Sequence, residues 1–366
     1  EDMVITVTHR GYIKRVPLKT YRAQRRGGKG RKAMATREED FVNQVFIGNT
    51  KSSVLFFSSK GKVYQMKVFK LPEFAPNARG KPMIGIFPLT KGENITAVLP
   101  LPDDKTSWEN LNIMFSTAKG TVRRNALSDF VKIQSSGKIA MKLSDDDKLI
   151  GVHTCEEKEN DVFLSTKEGK CLRFPISNVR KFSGRNSVGV RGIKLSKDDT
   201  VISMYILKHA KFSTDERNNY LKIANSIRRK ELQRSMPFSK LSKGIKIIEE
   251  KFVEMENIEE FILSVADNGF GKRSSAYEYR VTSRGGKGIA NMAVSKKTGK
   301  VVSSFPVNEK DDVMLIAGTG KLIRSPVNKI RIAGRTTQGV TLFKVESSEK
   351  VLSAASIKDL NINSEE

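Results

Sequence analysis

Six glycines along this chain are each followed four residues later by Arg or Gln: Gly11/Arg15, Gly61/Gln65, Gly120/Arg124, Gly169/Arg173, Gly269/Arg273 and Gly320/Arg324. Successive glycines lie 50, 59, 49, 100 and 51 residues apart. A period near fifty with β-branched and aromatic runs on both sides marks a bladed, closed, all-β architecture. It overrides the prior that a chain of 366 residues holds two or three domains. The long interval is about two periods, so it holds an insertion or a decayed unit.

Each unit reads as two halves. The first is a hairpin whose turn carries the repeat glycine, as in Val4 to Val16 around His9-Arg10-Gly11. Glycine suits such a turn because a tight hairpin needs φ > 0. The second half carries another glycine 17 to 24 residues later: Gly30, Gly85, Gly137, Gly192, Gly288 and Gly339. Units are expected near residues 1-46, 47-101, 110-155, 160-207, 259-307 and 308-358. Acidic turns follow, at Asp145-Asp-Asp147, Asp198-Asp199 and Asp311-Asp312. Like positions stack in a ring, so basic and acidic zones are expected on different parts of it.

Residues from about 208 to 257 break the pattern. Apolar residues at 220, 221, 223, 224, 227 and 232 follow a helical period, and Ile245 to Met255 is a second helical run. An inserted helical hairpin accounts for the doubled gap. A decayed unit around Gly244 is the rival, and it lacks the arginine at plus four. The mixed-sign charge of the segment reads as a solvated face.

Sixty-six Lys and Arg stand against 40 Asp and Glu, a net charge of +26. A compact body so charged repels itself, and a polyanion is its natural partner. A merely well-solvated surface or a ribosome-associated protein is the alternative. Cys155 and Cys171 are the only cysteines, neither a metal knuckle nor a disulfide framework, which fits a reducing cytoplasm. No signal peptide is seen, and apolar runs such as Ser53 to Ser58 are far short of a membrane span. A strand begins almost at Glu1, as in a piece of a longer polypeptide.

Gln24-Arg25-Arg26-Gly27-Gly28-Lys29-Gly30 is the most specific motif, with Arg31 and Lys32 behind it. Its glycines leave backbone N–H groups open to phosphates while the cations neutralise them. The heptapeptide resembles the signature box of the C-terminal domain of the DNA gyrase A subunit. Thr8-His-Arg-Gly-Tyr-Ile-Lys-Arg15, Asp267-Asn-Gly-Phe-Gly-Lys-Arg273 and Ser283-Arg-Gly-Gly-Lys-Gly-Ile289 look like the same family. The corresponding subunit of topoisomerase IV, a close relative, usually carries a degenerate box. The resemblance implies a six-bladed β-pinwheel, a propeller-like disk whose blades exchange strands, here with an inserted helical segment. It implies a basic rim around which duplex DNA bends, with the box needed for wrapping and placed on the connection that closes first blade to last. It also implies, as partners, the N-terminal part of the gyrase A subunit together with the gyrase B subunit. ATP and Mg are expected only for the whole enzyme. The insertion departs from the commonest family pattern.

Repeat position places further rim cations at Arg79, Lys81, Arg123, Arg124, Arg185, Arg191, Arg284, Lys287, Arg331 and Arg335, beside Arg31 and Lys32. The plus-four arginines Arg15, Arg173, Arg273 and Arg324 suit either DNA contact or the capping of a neighbouring unit's carbonyls. A disk roughly 50 Å across has a circumference of about 45 base pairs. Bending about 40 base pairs through a half circle costs on the order of 10 kcal/mol. Neutralising roughly ten phosphates offsets that through counterion release, which predicts sequence-tolerant, salt-sensitive binding.

No catalytic or metal site is legible. Gly318-Thr-Gly-Lys321 lacks phosphate-loop spacing, His9, His153 and His209 are scattered, and Tyr12, Tyr21, Tyr64 and Tyr279 read as strand aromatics. The family places its cleaving tyrosine and its ATPase elsewhere, so this chain is expected to bind and bend without catalysing. A protein-interaction propeller with a basic rim and, more remotely, an enzyme with a central-channel site are the rival readings.

Overall fold

The structure is a computed structural model that describes residues 1–22, 40–209, 211–318 and 322–357. Six antiparallel hairpins carry it: Asp2–Thr8 with Tyr12–Pro17, Ser53–Ser58 with Lys62–Lys67, Asn112–Thr117 with Thr121–Ala126, Asn160–Thr166 with Lys170–Pro175, Phe261–Ala266 with Phe270–Ser275, and Asp312–Ala317 with Leu322–Pro326. The turn glycines Gly11, Gly61, Gly120, Gly169 and Gly269 all have φ between 79° and 88°. That is the left-handed region glycine enters without a Cβ penalty. Gly320 lies outside the described residues.

An inner strand joins the first strand of each hairpin: Val42–Asn49, Ile95–Pro100, Leu149–Cys155, Val201–Lys208, Val301–Val307 and Val351–Ile357. The inner strands touch in sequence around a ring, and the last, Val351–Ile357, touches the first, Val42–Asn49. Phe41 seals that junction by packing with Met314 and Ile316 of the sixth unit. On its other side the Gln44 amide donates to Val98 O at 2.8 Å. The ring therefore returns upon itself as a six-bladed β-pinwheel.

The outer edge of each sheet is lent by the next unit. Lys81–Pro82 pairs with the first sheet, Lys138–Ile139 with the second, Val190–Arg191 with the third, Ile289–Ala290 with the fourth and Val340–Thr341 with the fifth. Among the described residues the sixth sheet has three strands. Burying apolar side chains between adjacent sheets drives the assembly. The clusters accordingly span units: Phe57 of the second packs with Phe115 and Phe130 of the third.

The inserted segment is helical, with helices Thr214–Arg228, Phe238–Leu241 and Glu249–Ile258. A reciprocal cap starts the first. Ser213 Oγ accepts from Glu216 N at 3.1 Å, and Glu216 Oε2 accepts from Ser213 N at 2.8 Å. Tyr220, Ile223, Phe252 and Met255 form its core against Tyr277 of the fifth unit, whose hydroxyl donates to Met255 O at 2.8 Å.

Candidate nucleic-acid interface

The outer edge is where the charge gathers. In four units it is built the same way. The segment lent by the next unit first makes a parallel bridge to the plus-four arginine: Glu73 to Arg15, Lys181 to Arg124, Val281 to Arg173, Ile332 to Arg273. A loop then leaves the sheet, and the two-residue edge strand rejoins it. The glycine just before that strand sits over a carbonyl of the neighbouring hairpin. A Cβ there would lie 2.6 Å from Ile13 O at Gly80, and 2.4 Å from Val122 O at Gly189, Cys171 O at Gly288 and Gly271 O at Gly339. All four have φ > 0. Gly80 and Gly189, and not the expected Gly85 and Gly192, are thus the repeat glycines of the second half. Gly85 and Gly192 do not carry positive φ.

The edge segments 74–82, 132–139, 180–191, 280–290 and 329–341 contain cations and no Asp or Glu. Lys81, Arg191, Lys287 and Arg331, four of the expected rim residues, are exposed there. The Arg79 guanidinium carbon stands over the Tyr12 ring, 3.9 Å from its centroid. Lys132, Lys138, Arg180, Lys181, Arg280 and Lys329 are also exposed on these segments, and repeat position alone misses them. The absence of carboxylates from one stretch in each of the second to sixth units is the signal that finds them.

Arg185, Arg284 and Arg335 are half-buried and tie one edge loop to the one before it. Arg284 donates to Asn178 O and Arg191 O, each at 2.9 Å. Arg335 donates to Glu278 O at 3.0 Å and to Ala290 O. Arg185 reaches Ile139 O at 3.4 Å. Each stands four residues before the glycine that opens its edge strand, so the edge is stitched along its length.

Two expected rim residues are not on the rim. Arg123 is fully buried, donating to Asn125 Oδ1 at 2.8 Å, to Arg185 O at 2.8 Å, to Ser187 O at 2.7 Å and to Ala140 O. Arg124 is buried and pairs with Glu157 at 3.3 Å. Strand alternation turns Arg123 toward the core side of the edge loop, and the plus-four position turns Arg124 toward the inter-unit connection. Neither can meet a phosphate.

Arg123 shares its repeat position with Lys14 and Lys272, three residues after the turn glycine in the first, third and fifth units. Tyr64 and Leu172 hold that place in the second and fourth. Each buried cation grips the carbonyls of the loop that crosses it. Lys14 Nζ donates to Ala75 O, Pro76 O and Ala78 O at 3.3, 2.5 and 3.0 Å. Lys272 Nζ donates to Asn291 O at 3.0 Å, to Gly334 O at 2.8 Å and to Arg335 O. Burial lowers the Lys14 ammonium to about 8, the Lys272 ammonium to about 7 and the Arg123 guanidinium to about 10. Nearby Glu278 raises Lys272 and Asp129 raises Arg123 against that trend. Interior cations thus hold the backbone of loops whose own side chains face out.

The plus-four arginines join units. Arg15 Nε donates to Leu71 O at 2.7 Å, Arg173 to Ala276 O at 3.0 Å and Arg273 Nε to Ile330 O at 2.8 Å. Ion pairs neutralise them: Glu73 at 2.6 Å, Asp161 at 2.9 Å and Glu309 at 3.2 Å. Of the two roles open from sequence, this geometry is carbonyl capping for these three, whereas Arg324 is exposed and pairs with Asp312 of its own hairpin. The acidic turns have a local role as well. Asp147 Oδ1 accepts from Lys119 N at 3.0 Å, and Asp199 Oδ1 accepts from Glu168 N at 3.0 Å, so each satisfies a hairpin turn.

The box residues Gln24, Arg25, Arg26, Gly27, Gly28, Lys29 and Gly30, with Arg31 and Lys32, lie outside the described residues. Among the described residues no three His, Cys, Asp or Glu converge as a cation site. Cys155 and Cys171 are buried, and burial pushes both thiols up to about 12.

A family model described as "DNA gyrase C-terminal domain, beta-propeller" matches residues 2–49, 52–102, 111–156, 160–208, 260–308 and 311–358. The chain belongs to that family. It is 51% identical over 366 residues to the DNA gyrase A subunit of Rickettsia bellii, and 36% identical over 352 residues to that of Escherichia coli K12. These alignments cover 100% and 96% of the chain, and 40% and 34% of those relatives. The chain therefore spans well under half the length of these gyrase relatives. A solved DNA topoisomerase IV C-terminal domain superposes with a TM-score of 0.75 at 22% identity, covering 98% of this chain and 94% of that one. A solved DNA gyrase A C-terminal domain gives 0.61 at 21% identity, covering 98% and 100%. The six matched stretches of the gyrase C-terminal domain model leave out the helical insertion.

Proposed function

We propose that this chain binds duplex DNA along its outer edge and bends it, serving as the wrapping domain of a DNA gyrase A subunit. The observation that carries the reading is the run of edge segments bearing exposed cations and no carboxylate, three of them fixed from beneath by the carbonyl-bonded Lys14, Arg123 and Lys272. Phosphate contacts of this kind position a duplex without reading its sequence. Counterion release supplies the affinity, and DNA stiffness opposes it. The Gln24–Gly30 box, with Arg31 and Lys32, adds phosphate contacts on this reading. In the whole enzyme the N-terminal part of the gyrase A subunit, together with the gyrase B subunit, supplies cleavage and ATP hydrolysis with Mg. The bent segment is then presented for negative supercoiling in the bacterial cytoplasm. This domain contributes binding and curvature and no chemistry of its own.

Equilibrium binding to a duplex of about 60 base pairs, measured across salt, tests the reading. The logarithm of affinity should fall steeply with the logarithm of salt, by about 0.9 per phosphate engaged. Replacing Arg191, Lys287 and Arg331 with Gln should flatten the slope by about 2.7. A salt-independent affinity, or an unchanged slope in that variant, rules the outer edge out as the DNA track.

A further inference from the structure

The inserted helices separate charges that are mixed in sequence. The carboxylates of Glu231, Glu254, Glu256 and Glu259 are taken by Arg229, Lys251, Arg234 and Arg228 at 2.6 to 2.9 Å. Glu216 belongs to the helix cap, and Asp215, Glu249 and Glu250 sit in first helical turns, where the helix dipole favours them. Those last three carboxylates are exposed and no ion pair engages them among the described residues, but lysines outnumber them. Lys222, Lys240, Lys243 and Lys246 are exposed, and no ion pair engages them among the described residues.

Lys222 lines one groove; Lys243 and Lys246 flank in sequence the Ile245 on its other side, and Lys240 lies on the short helix just before. Helix Thr214–Arg228 contributes Asn218, Lys222 and Asn225 to the groove. The Asn219 amide donates to Lys246 O at 3.0 Å, which ties the lysine-bearing turn to the helix. Within that turn Gly244 has φ 75°, and a Cβ there would meet nothing within 4 Å. The N–H groups of Gly244 and Lys246 have no acceptor among the described residues. Open amide N–H groups flanked by ammonium groups suit a phosphate. No aromatic side chain lines the groove, which leaves it without the anchor that a protein partner's interface usually needs.

The helices rest on Tyr277, three residues before Arg280, where the carboxylate-free edge of the fifth unit begins. We infer that the insertion is a second phosphate-binding surface that engages duplex DNA beyond the outer edge, through Lys222, Lys240, Lys243 and Lys246. This rests on the outer edge being a DNA track.

The test uses the whole chain with a duplex of about 60 base pairs. The variant K240Q/K243Q/K246Q should keep its circular dichroism, since these ammonium groups are exposed. Its salt slope should be shallower by about 2.7, with affinity at least about tenfold lower at 0.1 M salt. In the unaltered chain, acetylation footprinting should show Lys240, Lys243 and Lys246 protected by DNA. An unchanged slope and no protection, while the Arg191/Lys287/Arg331 variant loses slope, overturns the inference and leaves the edge reading intact. Unchanged slopes in both variants overturn both. An unchanged DNA slope with lost retention on a polyglutamate resin assigns the surface to an acidic polypeptide instead and also overturns it.

Discussion

Lys272→Met removes an ammonium group but keeps a side chain of similar length. Lys272 is fully buried, and its Nζ serves three carbonyls, Asn291 O, Gly334 O and Arg335 O. Leaving those oxygens against a thioether costs about 1–3 kcal/mol each. Relief from burying a charge returns several kcal/mol. The net expectation at pH 7 is a loss of about 2–4 kcal/mol. The pH dependence is the sharper test. Burial holds Lys272 at about 7 in the fold, well below its ordinary 10.5. Between those values the unfolded chain binds more protons, so stability rises with pH. Below pH 7 both states are protonated and the burial cost is felt in full. From pH 7 to 8.5 this single group should add about 1.5 kcal/mol to the parent. Lys14, held at about 8, adds a smaller rise of the same sign. The buried thiols begin to oppose it weakly near pH 8 and more strongly above about pH 9, as the unfolded thiols ionise first. Urea unfolding at pH 7.0 and 8.5 measures the effect. The parent should gain stability across that interval and K272M should gain distinctly less. Equal gains would refute the reasoning that a buried ammonium holds the loop of residues 334–339.

Gly288→Ala would bring its Cβ 2.4 Å from Cys171 O at φ 78°, so it should destabilise the fold by roughly 2 kcal/mol or more, read as a lower urea midpoint. Gly286→Ala, where the added carbon meets nothing within 4 Å, should be nearly neutral. Arg173→Leu strands the buried Asp161 carboxylate, leaving it His209 Nδ1 at 2.6 Å, and should cost about 3–5 kcal/mol by the same assay. Breaking the exposed Lys19–Glu1 pair by Lys19→Gln should leave the urea midpoint unchanged within error.

The hairpin glycines were legible because positive φ has one common solution in sequence. Gly11, Gly61, Gly120, Gly169 and Gly269 announce the turns by spacing alone. The second-half glycines were harder. Two units offer two candidates a few residues apart, and the following Ile favoured Gly85 and Gly192. The decisive contact is made instead by Gly80 and Gly189, against the carbonyls of Ile13 and Val122 in the preceding hairpins. Charge posed the same difficulty. Arg123 and Lys287 look alike in a basic stretch, yet Arg123 is buried among carbonyls of Arg185 and Ser187, more than sixty residues away. Local sequence cannot supply partners that the strand exchange brings in from the next unit. The helical period of the insertion was visible in Tyr220, Ile223 and Ile227. Its sorted charge was not, because ion pairs such as Arg234 with Glu256 form only once the helices pack.

The linking number of relaxed circular DNA, ligated or relaxed in the presence of saturating chain, tests the central claim most directly. A cationic perimeter that imposes curvature predicts a shift in linking number that grows with bound protein. The shift should vanish at high salt, where the phosphates recover their counterions. An unchanged linking number at saturating, salt-sensitive binding would show that the protein holds DNA without curving it, and would contradict the account.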